Sequence, residues 1–140
     1  SMHKIASIAT GVELLFAMVA IMLKLVVARW WQASVFNPGG LRKELLQIRL
    51  NKLVLLLFVL LMVLALVYKT LAPIDVLLPL LGAYMLAGLS ILHFWLGSYK
   101  HALLALVGFY IAVAMVPAVL LVVVLLAVVD SVVNLRVKMA

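Results

Sequence analysis

Residues 28–49 read ARWWQASVFNPGGLRKELLQIR. This stretch is the long polar interruption in an otherwise apolar chain. It holds a tryptophan pair, a proline–glycine–glycine turn and four of the eleven Lys and Arg residues. Asn37-Pro38-Gly39-Gly40 reads as a turn, because proline fixes φ and glycine permits positive φ. Arg29, Trp30 and Trp31 have the composition of an interfacial belt at the end of a membrane span. Beyond Gly40, Leu41, Leu45 and Ile48 alternate with Arg42, Lys43, Glu44 and Gln47, as in an amphipathic turn or two at a membrane surface. The whole of 29–52 is therefore expected to be a loop with an interfacial segment.

Outward from it, the composition decides the solvent. The 140 residues are 70% hydrophobic and 11% charged, with a mean hydropathy of +1.41. Soluble domains carry roughly 45–50% apolar and about 25% charged residues. Water cannot solvate such a surface, and a bilayer can. The expected architecture is all-α: a polytopic membrane domain with four transmembrane helices at about 5–28, 53–68, 74–95 and 102–129. The net charge is +7 and the pI about 10.1. The basic residues punctuate apolar runs and form no basic face beside stacking aromatics, which argues against nucleic acid. Without cysteine there are no disulfides and no thiolate metal sites. No nucleophile–base pair, paired carboxylates or ligand cluster stands out, so neither enzyme activity, catalytic residue, metal nor cofactor is expected.

The first apolar run carries Ala6, Ala9, Glu13, Ala17, Ala20, Lys24 and Ala28 at steps of three and four, which places them on one helix face. Such a small-residue face admits close approach of another helix. Glu13 and Lys24 have two readings. Either both serve packing, by snorkelling or finding one partner, or Glu13 binds a substrate group or proton in a polar cavity. They cannot pair within one helix, because eleven residues rise about 16 Å. Gly82, Ala83, Ala87 and Gly88 give the third run a small-residue surface, and the alanine stripe is its expected partner. Asp75 falls in that helix's first turn, where the dipole favours a negative charge.

His93 reads either as a hydrogen-bonded interfacial histidine or as a ligand-binding group. Pro117, in the middle of the fourth run, frees the carbonyl of Val113 for a tolerated kink or for a ligand. Asp130 and Asn134 are expected to share a helix face, with Arg136 and Lys138 at the surface. Lys69 to Pro73 is expected to be a short turn. Four spans put Arg29, Arg42, Lys43, Arg49, Lys52 and Lys100 on one side, against Lys4, Lys69, Arg136 and Lys138 on the other, six against four. The positive-inside rule then places the central loop in the cytoplasm.

ARWWQ followed by NPGG-L-R-K-E resembles a segment of an uncharacterised family of bacterial multi-spanning membrane proteins, the YybS-like family. GLSILHFWLG at 88–97, Phe109-Tyr110 and DSVVNLR at 130–136 add to the likeness, which covers about residues 25–138. The resemblance implies a bacterial cytoplasmic membrane. It also implies a distant likeness to the substrate-binding S components of energy-coupling-factor transporters. Family members look longer, so this chain resembles a C-terminal half, and Ser1-Met2 reads as a tag residue before a start methionine. Two functions remain open. One is a transporter-type module binding a small molecule. The other is a non-catalytic assembly protein docking another membrane subunit. The partners expected are lipid and either a second copy or another membrane subunit.

Overall fold

A computed structural model describes residues 2–69 and 73–139, and the expected turn around Thr70 to Ala72 lies outside it. All regular secondary structure among the described residues is helical, without strands. The elements are α1 (Met2–Phe36), α2 (Gly40–Leu45), α3 (Lys52–Tyr68), α4 (Ile74–Leu96), α5 (Ala102–Met115), α6 (Val119–Val133) and α7 (Leu135–Met139). Two helical stretches, Ile8–Phe36 and Asp75–Leu96, are long and apolar enough to cross a membrane. The α5–α6 pair would be a third if it formed one span. At 17 residues α3 is about 26 Å long, short of a ~30 Å hydrocarbon core.

Three expectations change. The first helix does not stop at Ala28. Nothing in RWWQASVF breaks a helix, so α1 carries Trp30 and Trp31 and ends where Asn37-Pro38 forbids continuation. The connection is correspondingly shorter. It contains the six-residue α2 and a non-helical stretch before α3. The fourth apolar run is not one long helix either. Val116 closes α5 by donating to the Ala112 carbonyl at 2.8 Å, and α6 leaves at an angle of 119°. Pro117 lacks the amide needed to carry the ladder onward.

The chain divides into two compact units. The first comprises residues up to Lys43 together with Leu53–Ala83. Here the inward side of α1 is Gly11, Leu15, Met18, Met22, Val26, Arg29 and Ala33, all buried or half-buried. A Cβ on Gly82 would collide with Leu15 and crowd Met18. So α4 meets α1 on this face and not on the alanine stripe. Ala6, Ala9, Glu13, Ala17, Ala20, Lys24 and Ala28 are all exposed. They stand two residues, about 200°, away from the packed positions, on the opposite side of the helix.

The second unit comprises Glu44–Lys52 and the chain from Tyr84 onward. Its core is the second half of α4 (Tyr84, Ala87, Gly88, Ser90 and Ile91) with Val123, Ala127, Asp130 and Ser131 of α6. Gly88 sits against the backbone of Val123, where a Cβ has no room. This is the close crossing that small residues make possible in membranes.

Candidate functional site

The second unit brings Arg49, Asp130 and Arg136 together at one place. Asp130 is buried in the last turn of α6, 1% exposed. The next turn is stopped by Asn134, whose φ of 54° is left-handed, a conformation asparagine tolerates better than most residues. That reversal aims the following residues back at α6. The Leu135 amide donates to Asp130 Oδ1 at 2.8 Å, and Arg136 Nη1 donates to Asp130 Oδ2 at 2.9 Å. Arg136 Nη2 donates to the Ile48 carbonyl at 2.8 Å and to Ser90 Oγ at 3.1 Å. Ser90 Oγ in turn donates to the Leu45 carbonyl at 2.6 Å. Arg49 Nε donates to the Asp130 carbonyl at 2.9 Å and lies 3.7 Å from Oδ2, while Nη2 reaches the Ser131 carbonyl at 3.3 Å.

The Arg136 guanidinium thus ties together three separate pieces of chain: the residues before α3 at Ile48, the second half of α4 at Ser90, and the end of α6 at Asp130. The non-helical run 46–51 has no ladder of its own. The Ile48 carbonyl in it accepts from Arg136, and the Leu45 carbonyl at the end of α2 accepts from Ser90. Burial draws the Arg136 guanidinium below its ordinary pKa, Asp130 opposes that, and Arg49 adds to it. Arg136 Nε is buried with no acceptor among the described residues. With two guanidiniums to one carboxylate, the cluster carries a net charge of +1. Beside it an open cleft of about 260 Å³ is lined by Arg49, Leu50, Asn51, Lys52 and Ser131.

Among the anticipated residues, Asp130, Asn134 and Arg136 belong to this site, with roles that differ from expectation. Asn134 does not share a helix face with Asp130 but ends the helix. Arg136 is not at the surface, since its side chain is 10% exposed. Arg49, Ser90 and Ser131 were not singled out by sequence, because their partners lie 45 to 82 residues away. Ser90 lies inside the GLSILH segment and Arg49 at the end of the central stretch, but neither position carries a local signal of its distant partner.

The other anticipated residues lie elsewhere. His93 is fully engaged: Nδ1 bonds to the Leu89 carbonyl at 2.8 Å and Nε2 to the Tyr110 hydroxyl at 3.2 Å. A single tautomer serves both, with Nδ1 donating and Nε2 accepting. Val113 is half-buried in the last turn of α5. Glu13 and Lys24 are exposed and have no hydrogen bond or ion pair among the described residues. Asn37 packs its amide over Gly40, Gly39 takes φ +84° with open space around it, and Pro38 and Arg42 are exposed. No group of three or more potential metal ligands occurs among the described residues. No protein-family model, curated protein or solved structure matches the chain.

Proposed function

We propose that this chain is a non-catalytic subunit of a bacterial membrane assembly, docking a helix of another membrane protein on the alanine face of α1. The carrying observation is that Glu13 and Lys24 are exposed on a 29-residue apolar helix, on the side opposite its packed face. Lys24 lies two residues from the midpoint of Ile8–Phe36. A charge left facing lipid at a helix centre costs about 2.5–3.5 kcal/mol. A small-residue partner helix with a basic group level with Glu13 and an acidic group level with Lys24 removes that cost. The flanking alanines let its backbone come close enough to do so.

The YybS-like resemblance is compatible with this reading, since S components also dock a membrane partner. The solute-binding alternative has less behind it, because Glu13, His93 and Val113 do not line the cleft and His93 is spent on Leu89 and Tyr110.

The same reading revises the topology. α1, α3 and α4 cross, while α5 and α6 form a hairpin that returns to the side it left. Supporting this, the end of α6 is hydrogen-bonded to the segment that precedes α3. Arg136 and Lys138 then join Arg29, Arg42, Lys43, Arg49, Lys52 and Lys100. The cation balance moves from six against four to eight against two, Lys4 and Lys69 remaining opposite. The positive-inside rule puts the eight in the cytoplasm.

The docking test is photocrosslinking in native membranes from probes at Ala17 and Ala20. The expected result is a single protein adduct, identified by mass spectrometry and lost when Glu13 and Lys24 are reversed in sign. Adducts with lipid alone, matching a probe at Leu66 of α3, would defeat the reading.

A further inference from the structure

We propose that the cleft at the start of α3 holds the phosphate of an anionic phospholipid headgroup. The surrounding charge asks for an anion. Arg49 spends Nε and Nη2 on the carbonyls of Asp130 and Ser131, and its Nη1 makes no hydrogen bond among the described residues. Lys52 is exposed and makes no ion pair among the described residues, and Asn51 offers a side-chain amide. The carboxylate of Asp130, already committed to Arg136 and the Leu135 amide, does not line the cleft. Lys52 is also the first residue of α3.

Position and size select a lipid over a soluble ester. Immediately after Lys52 come sixteen uncharged residues, Leu53 to Tyr68. The cleft therefore sits at the boundary between polar chain and apolar helix, the level at which lipid phosphates lie. Its volume of about 260 Å³ falls below the roughly 300–1,000 Å³ of sites that enclose a whole small molecule. It admits a headgroup whose acyl chains remain outside. The cytoplasmic leaflet favoured by the cation balance is also the leaflet where anionic lipids attract basic juxtamembrane segments.

The experiment uses the whole chain in nanodiscs, with thermal unfolding and native mass spectrometry as readouts. Phosphatidylglycerol discs are compared with phosphatidylcholine discs, and detergent-solubilised protein is titrated with inorganic phosphate and with glycerol phosphate. Phosphatidylglycerol is expected to raise the melting temperature and to remain bound. Lys52→Glu is expected to weaken retention about tenfold or more, the loss of one charge-assisted contact. Lys100→Glu, an exposed change away from the cleft, is expected to retain the lipid like the wild type. Equal losses in the two variants, or no loss in either, overturn the site. A shift reproduced in full by inorganic phosphate or glycerol phosphate overturns the lipid as its occupant. None of these outcomes depends on a partner at Ala17 and Ala20, so docking and lipid binding stand or fall separately.

Discussion

Arg136 Nη1 and Asp130 Oδ2 lie 2.9 Å apart across the left-handed turn at Asn134. The two are six residues apart, yet a continuous helix would carry them to different faces. The turn converts a sequence neighbour into a buried ion pair, and the spare donors of Arg136 then reach Ile48 and Ser90. Removing the carboxylate leaves the Arg136 guanidinium in its enclosed place without its nearest counter-charge. Asp130→Asn is expected to destabilise the protein by about 3–5 kcal/mol, read as a loss of melting temperature in detergent. An Asp130/Arg136 double-mutant cycle should show the two costs overlapping and not adding.

Gly88 and Gly108 are both helical glycines, and they should respond with opposite sign. A Cβ at Gly88 meets the Val123 backbone, whereas at Gly108 nothing lies within 4 Å. Gly88→Ala is expected to lose about 1–3 kcal/mol through overpacking. Gly108→Ala is expected to gain about 0.5–1 kcal/mol from helix propensity alone. Thermal unfolding of the two variants side by side checks the assignment.

The two faces of α1 should separate folding from assembly. Gly82→Leu drives a side chain into Leu15 and Met18, and is expected to lower the melting temperature of the isolated chain. Ala20→Leu with the probe at position 17, and Ala17→Leu with the probe at position 20, should leave that temperature unchanged while abolishing the photocrosslinked adduct.

Topology can be read with single cysteines, because the chain contains none. Ser98→Cys and Val137→Cys are expected to react with a membrane-impermeant maleimide from the same side, and Lys69→Cys from the opposite side. Opposite labelling of Ser98→Cys and Val137→Cys would show that α5 and α6 cross as one span.

The ends of α3 and α4 were legible in the sequence to within a residue, because Lys52, Lys69 and Pro73 bound clean apolar runs. The end of α1 was not, since the tryptophan pair suits a membrane interface and a helix equally well. Nor was its packed face. Both sides of α1 are largely apolar, and periodicity alone cannot say whether the alanines or the row of Leu15, Met18 and Met22 turns inward. In the site, the Asp130–Arg136 motif was visible, but its geometry depended on a backbone reversal at Asn134 that no spacing rule supplies. Arg49 and Ser90 owe their roles to partners distant in the chain, and no local pattern announces them.

The break at Val116–Pro117 also bears on biogenesis. At 14 and 15 residues, α5 and α6 are each too short to act alone as a stop-transfer segment. On the proposed topology they enter the bilayer as a pair, with Gly88 of α4 as the seat for Val123. The bonds from Arg136 to Ile48 and Ser90 can form only after that, because these partners lie 88 and 46 residues back along the chain. A chain stalled before Arg136 would carry the greasy pair without its latch.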